Sequence, residues 1–184
     1  MREKILEHIT VMETLFEIQD DVNAVIKTVI KCVSSGGTIL TAGNGGSAAD
    51  AQHFAGELVG RYTRNRRAIP CICLSSDSSV VTCIGNDFGY NSIFARQVHA
   101  FKGSKNLLFL ISTSGCSQNL IQAANAAKEV GLKTVALLGK GGGDLADVVD
   151  AAIIVDSSST ARIQECHIFL IHLICDAVEE LDNA

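Results

Sequence analysis

Proline occurs once in 184 residues, no apolar run has the length of a membrane span, and basic residues do not outnumber acidic ones. The lone proline excludes collagen-like, mucin-like and Pro-rich segments. A membrane helix needs about 20 consecutive apolar residues, and stretches such as His167 to Cys175 fall far short. No CxxC pair occurs among the seven cysteines, and several of them lie inside apolar runs. An odd set so placed reads as buried, reduced thiols in a cytoplasmic protein, not as a disulfide framework. Met1-Arg2-Glu3-Lys4 opens a mixed charged and apolar pattern, unlike a secretion signal. Fifteen Lys plus Arg against twenty Asp plus Glu leave a net charge of −5. Nucleic acids demand a basic excess or stripe, so neither they nor membranes are expected partners. The one dense basic cluster, Arg61, Arg64, Arg66 and Arg67, reads as a solvated or subunit-contacting loop.

What is present suits one globular unit. Hydrophobic residues make up 47% and charged residues 19%, with a mean hydropathy of +0.28, which excludes disorder. A chain of this length buries roughly 70% of its unfolded surface in a single core. Residues 1–33 carry apolar side chains at helical spacing, with a break expected at Gln19-Asp20-Asp21. Gly36-Gly37 then stops the helix. Short apolar runs follow at Thr38–Ala42, Cys71–Ser75, Asn106–Ile111, Lys133–Leu138 and Ala151–Val155. Helical patterns separate them near 47–59, 78–101, 117–130 and 143–149, and a last helix covers about 160–181. Strands that are apolar throughout and spaced by helices predict an α/β three-layer sandwich: a five-stranded parallel sheet with helices on both faces. No linker or repeat divides the chain, so residues 1–184 are read as a single domain.

Ligands of open parallel sheets bind beyond the carboxyl ends of the strands. Two such positions carry small, hydroxyl-rich loops that open helices: Gly43-Asn44-Gly45-Gly46-Ser47-Ala48 and Ser112-Thr113-Ser114-Gly115-Cys116-Ser117. Unpaired N–H groups and the positive helix end make an anion site there without Lys or Arg. Gly43 to Ala48 also satisfies a dinucleotide pattern. However, the acidic residue expected about 20 positions on is missing, since the next strand ends in Ser75-Ser76-Asp77.

His53 and Glu57 are four apart on one helix face, a spacing that suits two metal ligands or a ligand beside an acid/base group. Asp50 lies one turn earlier, placed to cap or support. On the last helix Gln164 and His172 are about 80° apart around the axis and so can face one cleft. Asn86-Asp87 reads as a turn, or as a polyol contact near the hydroxyl loops.

Read together, Ala42 to Leu58, Ile84-Gly85-Asn86-Asp87-Phe88-Gly89, Ile111 to Ser117 and Ala161-Arg162-Ile163-Gln164-Glu165 resemble the sugar isomerase (SIS) family, and within it the phosphoheptose isomerases. The resemblance covers essentially the whole chain. It implies a flavodoxin-like SIS fold and a cytoplasmic homotetramer with sites at subunit contacts. The implied reaction interconverts sedoheptulose 7-phosphate and D-glycero-D-manno-heptose 7-phosphate through an enediol, on the route to bacterial lipopolysaccharide heptose. By motif, Asn44, Gly45, Gly46 and Ser47 would meet the substrate, and Ser112, Thr113, Ser114 and Ser117 its phosphate. Asn86 and Asp87 would bind hydroxyls. Glu57 and His172 would be the catalytic pair, and His53, Glu57, Gln164 and His172 would hold zinc, with Glu57 and Gln164 also near substrate. Gly56, Cys116 and Ala161 depart from common family residues, though none is a proposed ligand. Alternatives are an isomerase of a shorter phosphosugar, or a non-catalytic SIS protein that binds sugar phosphates or a replication initiator. The binding-only relatives lack the acid and imidazole found here at Glu57 and His172.

Overall fold

A computed structural model describes residues 1–183. The strands are β1 (Ile39–Gly43), β2 (Cys71–Cys73), β3 (Leu107–Ser112), β4 (Lys133–Gly139) and β5 (Ala151–Val155). They form one sheet, every pair parallel, in the order β2-β1-β3-β4-β5. The order reverses between β1 and β3, which opens a crevice at their carboxyl ends. The helices are α1 (Arg2–Glu13), α2 (Gln19–Ser34), α3 (Gly46–Val59), α4 (Ser78–Phe88), α5 (Ala95–Val98), α6 (Gln118–Val130), α7 (Gly143–Ala146) and α8 (Thr160–Glu179).

The period-2 alternation of strand side chains divides the core into two. Leu107, Phe109 and Ile111 join Phe54 and Leu58 of α3, Val25 and Val29 of α2, and Ile163 and Leu170 of α8 on one face. Leu108 and Leu110 meet Leu120, Ala123 and Ala124 of α6 on the other. Phe54 and Phe109 pack with ring centroids 4.8 Å apart, pressing α3 onto the central strand. Truncating either ring would cost about 3–5 kcal/mol.

Three boundaries differ from the sequence expectation. The break between α1 and α2 falls at residues 14–18, a turn earlier than expected, and Asp20 and Asp21 lie inside the first turn of α2. Acidic side chains favour that position because they face the positive helix end. The stretch 78–101 is not one helix, because Gly89 takes φ 85° and ends α4. β2 is only three residues long and α7 only four. β2 ends early because Ser75 turns aside, accepting the Gly43 N–H (3.2 Å) and donating to the Gly43 carbonyl (2.9 Å).

Cys32, Cys71, Cys73, Cys166 and Cys175 are buried, whereas Cys83 and Cys116 are exposed. Burial pushes the Cys32 and Cys166 thiols up to about 11 and Cys175 up to about 12. Thiolates are the reactive form. Titration with an aromatic disulfide reagent should therefore modify two thiols in the native protein and all seven after denaturation. A third fast-reacting thiol would contradict this packing.

Candidate active site

α3 leaves the end of β1 and α8 follows β5, both packed on the same side of the sheet. Each follows a parallel strand, so the two helices run in the same direction, and they meet in register. The Gln164 amide of α8 packs directly on Gly46, where a Cβ would make that side chain move aside. Further along, His53 Nε2 lies 3.1 Å from His172 Nε2 and 3.1 Å from Glu57 Oε1. Tyr62 also stacks on His172, with centroids 5.4 Å apart and planes inclined by 24°. The His53 side chain is 43% exposed and that of Glu57 22%, leaving the cluster open to a ligand.

His53, Glu57 and His172 each present one ligand atom, all within 4.8 Å of one another. Two imidazoles and a carboxylate match the ligand chemistry of a catalytic zinc site, so the residues fit such an ion. Gln164 stands two turns before His172, against Gly46.

The β3–α6 loop is curled by its own hydroxyls. Ser112 Oγ accepts the Gly115 N–H (3.1 Å) and Ser114 Oγ the Cys116 N–H (3.3 Å). Ser117 occupies the N-cap of α6 without capping it by its side chain, which leaves that hydroxyl available at the positive helix end. From below, the β4–α7 turn presses on this loop. A Cβ on Gly115 would run into the Gly142 carbonyl, and Leu145 N–H donates to the Gly115 carbonyl (2.9 Å).

Several site residues carried no sequence signal. Asn119, buried at the start of α6, exchanges two 2.9 Å amide bonds with Asn44, and Tyr90 donates to Asn44 Oδ1 (3.0 Å). The Asn44 side chain therefore ties the β1 loop to α6. Asn86 and Asp87 lie in the last turn of α4, not in a free turn, and are bonded to each other (2.9 Å). Within the basic cluster Arg66 departs from the solvated reading. Its side chain is 3% exposed and faces Glu179 of α8. A buried acid far along the chain was the missing partner.

The SIS domain family profile matches residues 5–139. The phosphoheptose isomerase of Citrifermentans bemidjiense is 45% identical over 180 residues, spanning 97% of this chain and 94% of its own. The chain belongs to the SIS domain family, among the phosphoheptose isomerases. Two solved members superpose on this SIS chain. The phosphoheptose isomerase GmhA of Neisseria gonorrhoeae does so with a TM-score of 0.91 at 38% identity, covering 97% of this chain and 96% of its own. That of Francisella tularensis does so with 0.93 at 32% identity and the same coverage. The flavodoxin-like SIS arrangement expected from the motifs is thus the observed one.

Asp50, one turn before His53, buries Oδ2 without a hydrogen-bond partner. Burial lifts its carboxyl to about 6, against a smaller opposing pull from His53. The native state therefore holds this proton more tightly than the unfolded chain. The advantage is full below the unfolded carboxylate range and is lost as pH rises towards 6. Asp50→Asn in metal-free protein should consequently raise the melting temperature at about pH 8 and leave it nearly unchanged or lower it at about pH 4. A loss of stability at pH 8 would mean that the carboxylate has a partner.

Proposed function

We propose that the chain interconverts sedoheptulose 7-phosphate and D-glycero-D-manno-heptose 7-phosphate by aldose–ketose isomerisation, in the cytoplasm, on the route to the heptose of lipopolysaccharide. The observation that supports this most is the cluster in which His53 of α3 lies 3.1 Å from both Glu57 and the α8 imidazole of His172, all three ligand atoms within 4.8 Å.

The reaction moves a proton between C1 and C2 through an enediol. It needs a base at carbon, an acid at the carbonyl oxygen and stabilisation of developing charge. Glu57 takes the carbon-bound proton, and the His172 imidazole serves the oxygen from the other side. A zinc ion held by His53, Glu57, His172 and Gln164 would supply polarisation of the carbonyl. Ser112, Thr113, Ser114 and Ser117 hold the phosphate with hydroxyls and N–H groups at the start of α6. Asn44, Gly45, Gly46 and Ser47 border the sugar, the Asn44 amide also tying that loop to α6, while Asn86 and Asp87 meet hydroxyls. Phosphate binding at the remote end is thereby spent on orienting C1 and C2.

The active assembly is a homotetramer with sites completed at subunit contacts. Ile5, Leu6, Ile9 and Phe16 of the N-terminal helices and Phe169 and Leu173 of α8 are exposed large hydrophobics. Several of them line an apolar groove of about 470 Å³. Apolar patches of this kind mark association surfaces. Among the described residues, no helix is long and apolar enough to cross a membrane.

Incubating purified protein with sedoheptulose 7-phosphate, and separately with pentose and hexose phosphates, tests the assignment. Turnover of the heptose phosphate alone is expected, and turnover only of a shorter sugar would replace it. Glu57→Gln should lower kcat by about 10²–10⁴-fold, the usual contribution of a positioned base, with substrate binding retained. Activity within a few fold of wild type would remove Glu57 from the chemistry.

A further inference from the structure

Glu179 lies in the last turn of α8, 2% exposed and well past the residues discussed above. Its Oε1 accepts the Tyr62 N–H (3.0 Å). Its Oε2 accepts the Thr63 N–H (3.1 Å), the Thr63 hydroxyl (2.8 Å) and the Arg64 N–H (3.0 Å). Arg66 Nε faces Oε1 at 3.5 Å. Burial alone would raise this carboxyl, but the bonds from Thr63, Arg64 and Tyr62 outweigh it and hold the group below the usual range.

What Glu179 holds leads to the reacting groups on both sides. The Arg66 guanidinium donates to the carbonyls of Glu57 (2.6 Å) and Leu58 (2.8 Å). These are among the acceptors that α3 leaves unpaired at its C-terminal end, where a cation is also favoured. Tyr62, fixed through its own N–H, lays its ring on His172. A loop returning from α3 to an edge strand needs none of this and would ordinarily be solvated. One carboxylate on α8 therefore restrains the backbone of Glu57 and the ring of His172 together.

We propose that Glu179, acting through Arg66 and Tyr62, is the positioning residue that sets the separation of Glu57 from His172. The proposal rests on the roles given to those two side chains above. Positioning partners of this kind change activity about 10–100-fold without touching substrate. The substrate's phosphate end is held by loops at other strand ends, so affinity is spared while the chemical step slows.

Three variants test it: Glu179→Gln, which keeps size but loses charge, Tyr62→Leu, which removes the ring, and Tyr62→Phe, which keeps it. The first two should lower kcat about 10–100-fold with KM changed less than about twofold, and Tyr62→Phe should retain wild-type kcat. The second readout is the ring-proton resonances of His172 in metal-free, histidine-labelled protein, assigned by loss in His172→Gln. Stacking on Tyr62 displaces these resonances. Glu179→Gln and Tyr62→Leu should move them alike, and Tyr62→Phe should not. Folded Glu179→Gln with wild-type kcat and unmoved resonances would overturn the proposal. So would a kcat loss that merely tracks the fraction of folded protein. Should Glu179→Gln fail to fold, Tyr62→Leu decides, and wild-type kcat there overturns it. If the wild-type chain does not turn over the heptose phosphate, the functional assignment fails, while the resonances still decide the positioning.

Discussion

Everything at the site depends on the register between α3 and α8, two helices that lie side by side although over a hundred residues separate their facing histidines. Three contacts set it, in the same order along both helices. Gln164 lies on Gly46, His172 meets His53, and Glu179 grips residues 62–64 just beyond α3. Between these points Phe54, Leu58, Leu170, Ile171 and Ile174 fill the shared core. Apolar packing holds two helices together but tolerates small slides, because it has little directionality. The hydrogen bonds of Glu179 to residues 62–64 remove that freedom at one end, and the close packing of Gln164 on Gly46 limits it at the other. A slide of one residue would move the imidazole by about 1.5 Å along the axis, enough to open a 3.1 Å contact.

The fold was legible because its signals are local. Leu107 to Ile111 is apolar on both faces, which only a covered parallel strand requires, and glycines mark where strands hand over to helices. His53 and Glu57 were legible through their spacing on one helix. Less visible was anything that depended on a partner far along the chain. Arg66 looks like its three basic neighbours until the buried acid at Glu179 is known. Asn44 reads as a substrate contact, but its bonds to Asn119 and Tyr90 could not be read from the sequence. The end of α4 was missed for a different reason. Its apolar spacing continues past Gly89, and only the left-handed backbone there interrupts it.

An acidic chain that holds a phosphorylated sugar without Lys or Arg in its loops must rely on dipoles. This choice constrains the architecture. Unpaired N–H groups attract an anion only over short distances and only where the backbone is fixed. The β3–α6 loop accordingly has its shape set twice, by Ser112 and Ser114 within it and by the β4–α7 turn beneath it. Gly115 is required at the point of contact because any side chain would strike the Gly142 carbonyl. The short α7 is thus a support for the loop more than a layer of the sandwich.

Glu57 is assigned two tasks that compete for lone pairs, since an electron pair directed at a cation cannot also take a proton. Its environment separates them. Oε1 faces His53 at 3.1 Å, on the side where the three ligand atoms converge. A carboxylate has a second oxygen with its own lone pairs, and that is the oxygen the proposed base would use. Such a division works only if the carboxylate cannot rotate with its helix end, which would otherwise fray. Arg66 bonds the Glu57 carbonyl itself, so the residue to which both tasks are assigned has its backbone held at the point where the helix would fray.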